Sequence, residues 1–539
     1  MREGGTGTLP TGWVEANIGD LVGHAGIFCD GDWVESKDQD PAGDVRLVQL
    51  ADVGDGHYRD KSSRFLTSAK ARGLGCTFIQ PGDILIARMP DPLGRACIFP
   101  GDQKPSITVV DVCVVRLASP VTGRWLMHQL NTPHLRQLVA SAQSGSTRRR
   151  ISRTNLAKIR FPLPPLPEQE RIASVVDELL SDLDAGVAAL ERVRVKLALY
   201  RASVLKAAVD GTLTAEWRAQ HPNSEPASTL LDRILVERRR RWEEEQIAKF
   251  KAKGQEPPKN WKAKYKEPVV PDTTDLAALP DGWCWATVDQ LSQQVRNGYS
   301  LKPDASAGVP ILRISAVRSF ALDLNDVRFL SGEPTDYVDS LIQPGDLLFT
   351  RYNGTRSLVG VCAVVPAIDR KIVHPDKLIR ARPVRALDSP AFIALAANVG
   401  GSRAFIERRI RTTAGQAGVS GGDVKALPVP FPRRAEQEVI VETVEDQLSV
   451  IDHVEADVEA KLKSAQSLRQ AILRHAFTGQ LVPQDPNDEP ASELLKRIAA
   501  EREARAHEAA TARPGSKRAA GTRRRRTSET QRPPSPALE

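Results

Sequence analysis

FPLPPLPEQERIASVVDELLSDLD, residues 161–184, returns 268 positions later as VPFPRRAEQEVIVETVEDQLSVID, residues 429–452. Each copy leaves a proline-containing extended run, meets Glu-Gln-Glu at 168–170 or 436–438, and enters a long amphipathic segment. Acidic residues at the opening suit the positive end of a helix dipole. Beyond them the apolar residues keep heptad spacing. Val176, Leu183, Leu190, Leu197 and Val204 hold one seam position, and Leu179, Val193 and Tyr200 the other, with Gly186 as the single interruption. In the second copy Val444, Ile451, Val458, Ala465 and Ile472 repeat the first register, and Val454 and Leu468 partly fill the second. The pattern predicts two long helices packed on each other as a coiled coil. From Glu168 to Ala208 the first would run about 60 Å at 1.5 Å per residue. The alternative, a helix that only covers its own domain, fits shorter segments better.

Working outward, other blocks recur in the same order. LPTGW (9–13) returns as LPDGW (279–283), QPGDILIAR (80–88) as QPGDLLFTR (343–351), and GRACIFP (94–100) as GVCAVVP (360–366). LKAAVDGTL (205–213) matches LRHAFTGQL (473–481), and EPASTLLDRI matches EPASELLKRI. Ordered repeats of this length mark an internal duplication. Each half pairs a strand-rich part, residues 9–165 and 279–432, with a helical part, residues 166–220 and 433–500. The short runs DILIAR, VVDVCVVRL, VPILRISAV and DLLFTR, separated by turn residues, are β-like. Residues 221–278 read as a charged linker insertion with a solvated helix, and 501–539 as a basic tail expected to be disordered. The fold class expected is α+β: two mixed, strand-rich domains alternating with two long helices packed as an antiparallel coiled coil, related by a pseudo-twofold duplication.

Composition excludes several classes. With 41% hydrophobic and 26% charged residues, the 539-residue chain is neither wholly disordered nor collagen-like. It has no apolar stretch of about 20 residues to span a bilayer and no signal-peptide core, so a cytoplasmic location is expected. Six scattered cysteines without a CxxC pair indicate neither a disulfide framework nor a zinc site. The net charge of +8 comes from the insertion and the tail, so it says little about the folded parts. Within those parts residues 103–165 carry ten basic residues against Asp111 alone, and residues 370–425 carry eleven against four acidic ones. Each segment can present a basic face to phosphates, or simply a solvated charged surface.

Catalytic motifs are missing. No GxxxxGK[ST] loop holds a triphosphate, no [ND]PP[YF] or FxGxG serves amino-methylation, and no histidine pair has metal-ligand spacing. Asp376 with Lys377, or Glu459 with Lys461, forms only the short acid–lysine pattern that arises by accident, which leaves a self-contained nuclease without support.

Two domains opened by LPxGW, each with a PGD[IL]L[IF][AT]R strand, each closed by a PEQERI-type helix start and followed by [DT]G[TQ]L and EPASxLLxRI, resemble the specificity subunit of type I restriction-modification systems. The resemblance covers about residues 9–500. It implies two target-recognition domains, each reading one half of an asymmetric bipartite site in double-stranded DNA, with the helices setting the spacer. It also implies a non-catalytic subunit on which two methyltransferase subunits dock, joined by two restriction subunits where a system carries them. No cofactor is expected in this chain; S-adenosylmethionine would belong to the methyltransferase subunits, and ATP with magnesium to the restriction subunits. The insertion, the Arg-rich tail and the start FPRRAEQE depart from the family pattern. A coiled-coil scaffold that binds no DNA is the alternative from a different class.

A duplicated reader keeps its frame and varies its reading loops, so base contacts are expected where the copies differ, and phosphate contacts in the basic loops. In the first module the candidates are Arg88 and, from GSTRRRIS, Ser146, Thr147, Arg148, Arg149, Arg150 and Arg153. In the second they are Arg351, Tyr352 and Asn353, then Arg411, Thr412, Thr413, Gln416 and Ser420 from RTTAGQAGVS. Asn353 or Gln416 suits an adenine edge and Arg351 a guanine. Each residue taken singly also fits an ordinary surface loop. The Arg tetrads 238–241 and 523–526 read as solvated or nonspecific charge.

Overall fold

The computed structural model describes residues 9–511 apart from 91, 146–148, 385–388 and 414. Four long helices organise it: α1 (Leu166–Asp210), α2 (Ala227–Ala252), α3 (Arg434–Ala476) and α4 (Ala491–Thr511). The chain divides into two compact units, Met1–Ala188 with Leu462–Glu539, and Ala189–Lys461. Each unit therefore holds one strand-rich module, the start of its own long helix, and the end of the other.

The first unit is built on an antiparallel sheet in the order Ile27–Asp30, Val112–Arg116, Ile84–Ala87, Ala96–Ile98. The second repeats it with Ser292–Asn297, Leu378–Pro383, Leu347–Thr350 and Cys362–Val364. QPGD launches the central strand of each for a physical reason. Asp83 closes the turn by accepting the Gln80 amide at 2.7 Å, and Asp346 accepts that of Gln343 at 2.8 Å. Each carboxylate is fully buried and takes a two-pronged guanidinium from the neighbouring strand. Arg116 donates to Asp83 at 2.7 and 2.6 Å, and Arg382 to Asp346 at 2.8 Å twice. A buried charge so paired locks strand order, because removing either partner strands the other in the interior.

LPxGW ties each module to its helix. Gly12 and Gly282 turn the chain at φ of 80° and 81°, and a Cβ on Gly282 would lie 2.3 Å from the Arg433 guanidinium. The turn aims an indole at the Glu of EQE: Trp13 donates to Glu168 Oε2 and Trp283 to Glu436 Oε2, both at 2.9 Å. The following glutamine folds back on the proline run, Gln169 to the Pro164 carbonyl at 2.8 Å and Gln437 to that of Pro432 at 2.9 Å.

The EPAS segments cross over. In the first unit the amide opening α4, Ala491, donates to the Gly12 carbonyl; in the second the amide opening α2, Ala227, donates to that of Gly282, each at 2.9 Å. The helix that ends one repeat thus seats on the module of the other. The cores follow the same exchange. Val176 and Leu180 of α1 share a core with Ile472, Leu473 and Phe477, and Asp184 pairs with Arg469. In the second unit Ile440 and Val444 of α3 share a core with Val204 and Ala208, while Arg201 pairs with Asp452 and with Glu455 at 3.0 Å. In both units, climbing α1 means descending α3, the sense of an antiparallel pair.

Only one seam position behaves as the heptads predict. Val176, Leu183, Leu190, Leu197 and Val204, like Val444, Ile451, Val458, Ala465 and Ile472, are buried or half-buried. At the other, Leu179, Val193, Tyr200 and Leu468 are exposed and Val454 alone is half-buried. Two helices meet along one stripe, and periodicity alone does not say how many partners a helix has.

The insertion is not solvated throughout. Ala227, Leu230 and Ile234 at the start of α2 are buried in the core of the second module. All six cysteines are free.

Candidate nucleic-acid interface

In the second module the structure gathers most of the candidates on one small sheet. Tyr352–Asn353 pairs with Gln416–Gly418, which pairs with Arg411–Thr413, all antiparallel. The Val419 amide donates to the Arg351 carbonyl at 2.9 Å and fixes this ribbon to the end of the central strand. Arg411, Thr412 and Gln416 are exposed on it. Arg351 lies over the Tyr352 ring at 4.8 Å and makes one long bond to the Asp376 carbonyl at 3.4 Å, while its Nε is buried without a partner. That guanidinium has donors to spare, which is what a guanine edge requires. Asn353 spends one oxygen on the Thr355 amide at 2.9 Å. Ser420 is occupied otherwise: its hydroxyl caps the helix Gly421–Lys425, accepting the Asp423 amide at 3.1 Å and donating to the Asp423 carboxylate at 2.6 Å.

The first module places the same segments together with a different outcome. Ile151 donates to the Arg88 carbonyl at 3.0 Å, as Val419 does to Arg351, and Ser144 bridges Arg150 below a tip whose Ser146, Thr147 and Arg148 lie outside the described residues. The side chain of Thr413 is likewise not described. Arg149 and Arg150 are exposed. Arg88 is not: 12% of its side chain is accessible, and it donates to the carbonyls of Ile151 and Val110, both at 3.0 Å, and pairs with Asp30 at 2.8 Å. Arg153, 48% exposed, reaches the Phe28 carbonyl at 2.8 Å and lies 3.8 Å from the same Asp30. One acidic residue thus holds both arginines back.

Phe320, which no motif marks, belongs to this comparison. It sits at φ 66°, where its counterpart Gly56 has 81°, and each donates its amide to the matching strand, to Cys362 at 3.2 Å and to Ala96 at 3.0 Å. A bulky residue in the left-handed region is strained. The signal was available in the aligned blocks LADVGDG and ISAVRSF, where an aromatic replaces glycine.

Two diverged copies of one module, the second with a polar ribbon at the end of its central strand and the first with a Ser144–Arg150 bridge in the corresponding place, are the plan of a duplicated recognition protein. Among the described residues no group of three or more histidine, cysteine or acidic side chains is placed to hold a metal, and no helix is long and apolar enough to cross a membrane. Residues 12–192 match the family model described as the type I restriction modification DNA specificity domain. The chain is 31% identical over 402 residues to the type I restriction enzyme EcoKI specificity subunit of Escherichia coli (strain K12), covering 72% of this chain and 74% of the relative. To the EcoBI specificity subunit of Escherichia coli it is 24% identical over 471 residues, 85% of this chain and 86% of the relative. A chain solved in work on complex assembly and conformational transition of the type I restriction-modification system shares the fold, with a TM-score of 0.57 at 16% identity, covering 88% of this chain and all of that one. The protein belongs to the specificity subunits of type I restriction enzymes. Membership removes the ground for a scaffold that binds no DNA.

Proposed function

We propose that each strand-rich module reads one half of an asymmetric bipartite site in double-stranded DNA, and that α1 and α3 set the spacer between the halves. The observation that carries this reading is the duplicated frame with unlike ribbons: the Asp–Arg and Trp–Glu pairs repeat nearly unchanged, while Arg351 and Arg88 end in different surroundings. In this reading Arg351, Asn353 and Gln416 address base edges, and Arg149, Arg150, Arg411 and Thr412 address phosphates, while Arg153, like Arg88, stays with Asp30. Tyr352 and Thr413 belong to the ribbon of the second module, and Ser146, Thr147 and Arg148 remain candidates for phosphate contact in the first.

The chain supplies recognition, and partner subunits supply chemistry. Two methyltransferase subunits bring S-adenosylmethionine, and restriction subunits, where the system has them, bring ATP with magnesium. The exposed side chains Val193, Val195, Leu199, Tyr200 and Val450 support docking on the helices, because they leave apolar surface on both α1 and α3 for a protein partner. The cell's cytoplasm, where the DNA lies, is the corresponding location. Single-molecule methylation sequencing of cells with the gene intact and deleted tests the proposal. One asymmetric two-part motif should lose its methyl groups on deletion; an unchanged methylation map in a strain expressing the partner subunits would refute it.

A further inference from the structure

The insertion between the repeats has an architecture of its own. Of the 26 residues of α2, only Ala227, Leu230 and Ile234 are buried; Val236, Arg239 and Arg240 on its later turns are exposed. Residues 258–267 return along them as a strap. Trp242 stacks on Trp261 at 5.8 Å and meets the edge of Tyr265 at 5.2 Å, a three-ring core of about the size that can pin a strap to a helix. Arg238 donates to the Tyr265 hydroxyl at 2.6 Å, and Lys262 pairs with Glu243 at 2.8 Å.

Charge is sorted within this element. The arginines are all paired, Arg238 with Asp289 of the module at 3.7 Å and the others within the insertion: Arg239 with Glu243 at 3.5 Å, Arg240 with Glu237 at 2.7 Å and Glu244 at 2.5 Å, and Arg241 with Glu237 at 2.6 Å. The lysines are different. Lys249, Lys251, Lys253, Lys259, Lys264 and Lys266 are all exposed and have no ion-pair partner among the described residues, and Glu256 is the one acidic residue between the first and the last of them. Four of the six flank the turn at Gly254, where strap and helix meet.

The strap's continuation is fixed to the second module. The Val269 amide donates to Asp289 at 3.1 Å and its carbonyl accepts from Thr287 at 2.6 Å, and Asp289 lies 3.9 Å from Lys425. Lys425 ends the short helix that Ser420 caps just after the ribbon. An arm whose unpaired charge is mostly lysine, rooted on the second module, has the makings of a phosphate contact without sequence content, since an ammonium is a point charge that needs no fixed geometry.

We infer that residues 236–267 form a DNA-backbone arm, whose lysine tip rests on duplex phosphates outside the half-site read by the second module. The inference rests on the proposed reading of that module. The test uses the full chain assembled with its methyltransferase subunits, and compares wild type with the variant Lys249→Gln, Lys251→Gln, Lys253→Gln, Lys259→Gln. Fluorescence anisotropy from 50 to 200 mM salt is measured on a duplex carrying the methylated motif and on an unrelated duplex. The variant should bind both more weakly by the same factor, about tenfold at low salt, with a log–log salt slope shallower by about 0.9 for each phosphate that the arm no longer neutralises. The methylated motif should be unchanged. Equal affinity and slope for variant and wild type would overturn the inference, as would a changed motif. Loss of methyltransferase subunits in sedimentation with the slope intact would also overturn it, and would assign the tip to a protein surface. Failure of the wild type to discriminate between the duplexes would count against the half-site reading instead, whatever the lysines do.

Discussion

The two modules use one device at their helix junctions and arrive at different electrostatics. Glu436 accepts from Trp283 at 2.9 Å, from Thr214 at 2.7 Å and from Arg218, so its charge is neutralised where it is buried. Glu168 accepts from Trp13 at 2.9 Å, but its Oε1 is buried without a partner, and the nearby Arg171 is engaged with Asp488 at 2.6 Å. Burial pushes the Glu168 carboxyl above its ordinary range, against the lowering effect of the Trp13 bond. A duplicated scaffold therefore keeps the contact that sets geometry and lets the balancing charge drift. The ends of the central strands show the same drift, with Arg88 held by Asp30 and Arg351 left with spare donors.

Substitutions can break or sharpen this comparison. The largest effect belongs to what the modules share: Asp83→Ala and Asp346→Ala should each destabilise its own module by about 3 to 5 kcal/mol, because each leaves a guanidinium without its buried partner. Denaturant unfolding that shows one variant severe and the other mild would break the equivalence of the sheets. Glu436→Gln comes next, with a loss of about 2 kcal/mol through the Arg218 pair. Glu168→Gln should be neutral or stabilising, since the amide oxygen still accepts from Trp13 and the unbalanced charge is gone. The sign with pH follows from the raised carboxyl. Ionised Glu168 destabilises the fold above its folded pKa, and the penalty disappears below the ordinary value of 4.5, where the group is protonated in both states. The advantage of Glu168→Gln should thus be present at pH 7 and fade as pH falls toward that value; equal advantage at both ends would contradict the assignment. The smallest pair separates structure from reading. Arg88→Ala should lower stability by roughly 1 to 2 kcal/mol, measured by thermal unfolding. Arg351→Ala should leave stability nearly unchanged and weaken binding of the assembled complex to its motif by a similar amount.

Much of this was legible in the sequence, for reasons that also mark where it stopped. The repeat blocks located the central strand of each sheet and both helix starts, since turn, strand and helix signals are local. The pairing of Trp13 with Glu168 was not legible: both residues lie inside recognised motifs, but 155 positions apart, and nothing local joins them. The second heptad position misled because Leu179, Val193 and Tyr200 keep the spacing of a seam without facing one. Arg88 and Arg351 occupy the same place in the same motif, yet only the fold brings Asp30 to the first. The insertion read as solvated charge because its composition is polar. Its glutamates at three- and four-residue spacing from the arginines, and Trp242, Trp261 and Tyr265, were the available signs of an ordered element.

The claim that the modules read separate halves is tested most directly by rewriting one ribbon. Arg351→Ala, Asn353→Ala and Gln416→Ala together, in cells that express the partner subunits, should relax or change methylation in one half of the two-part motif and leave the other half and the spacer as they were. Methylation sequencing that shows both halves altered, or neither, would contradict the account.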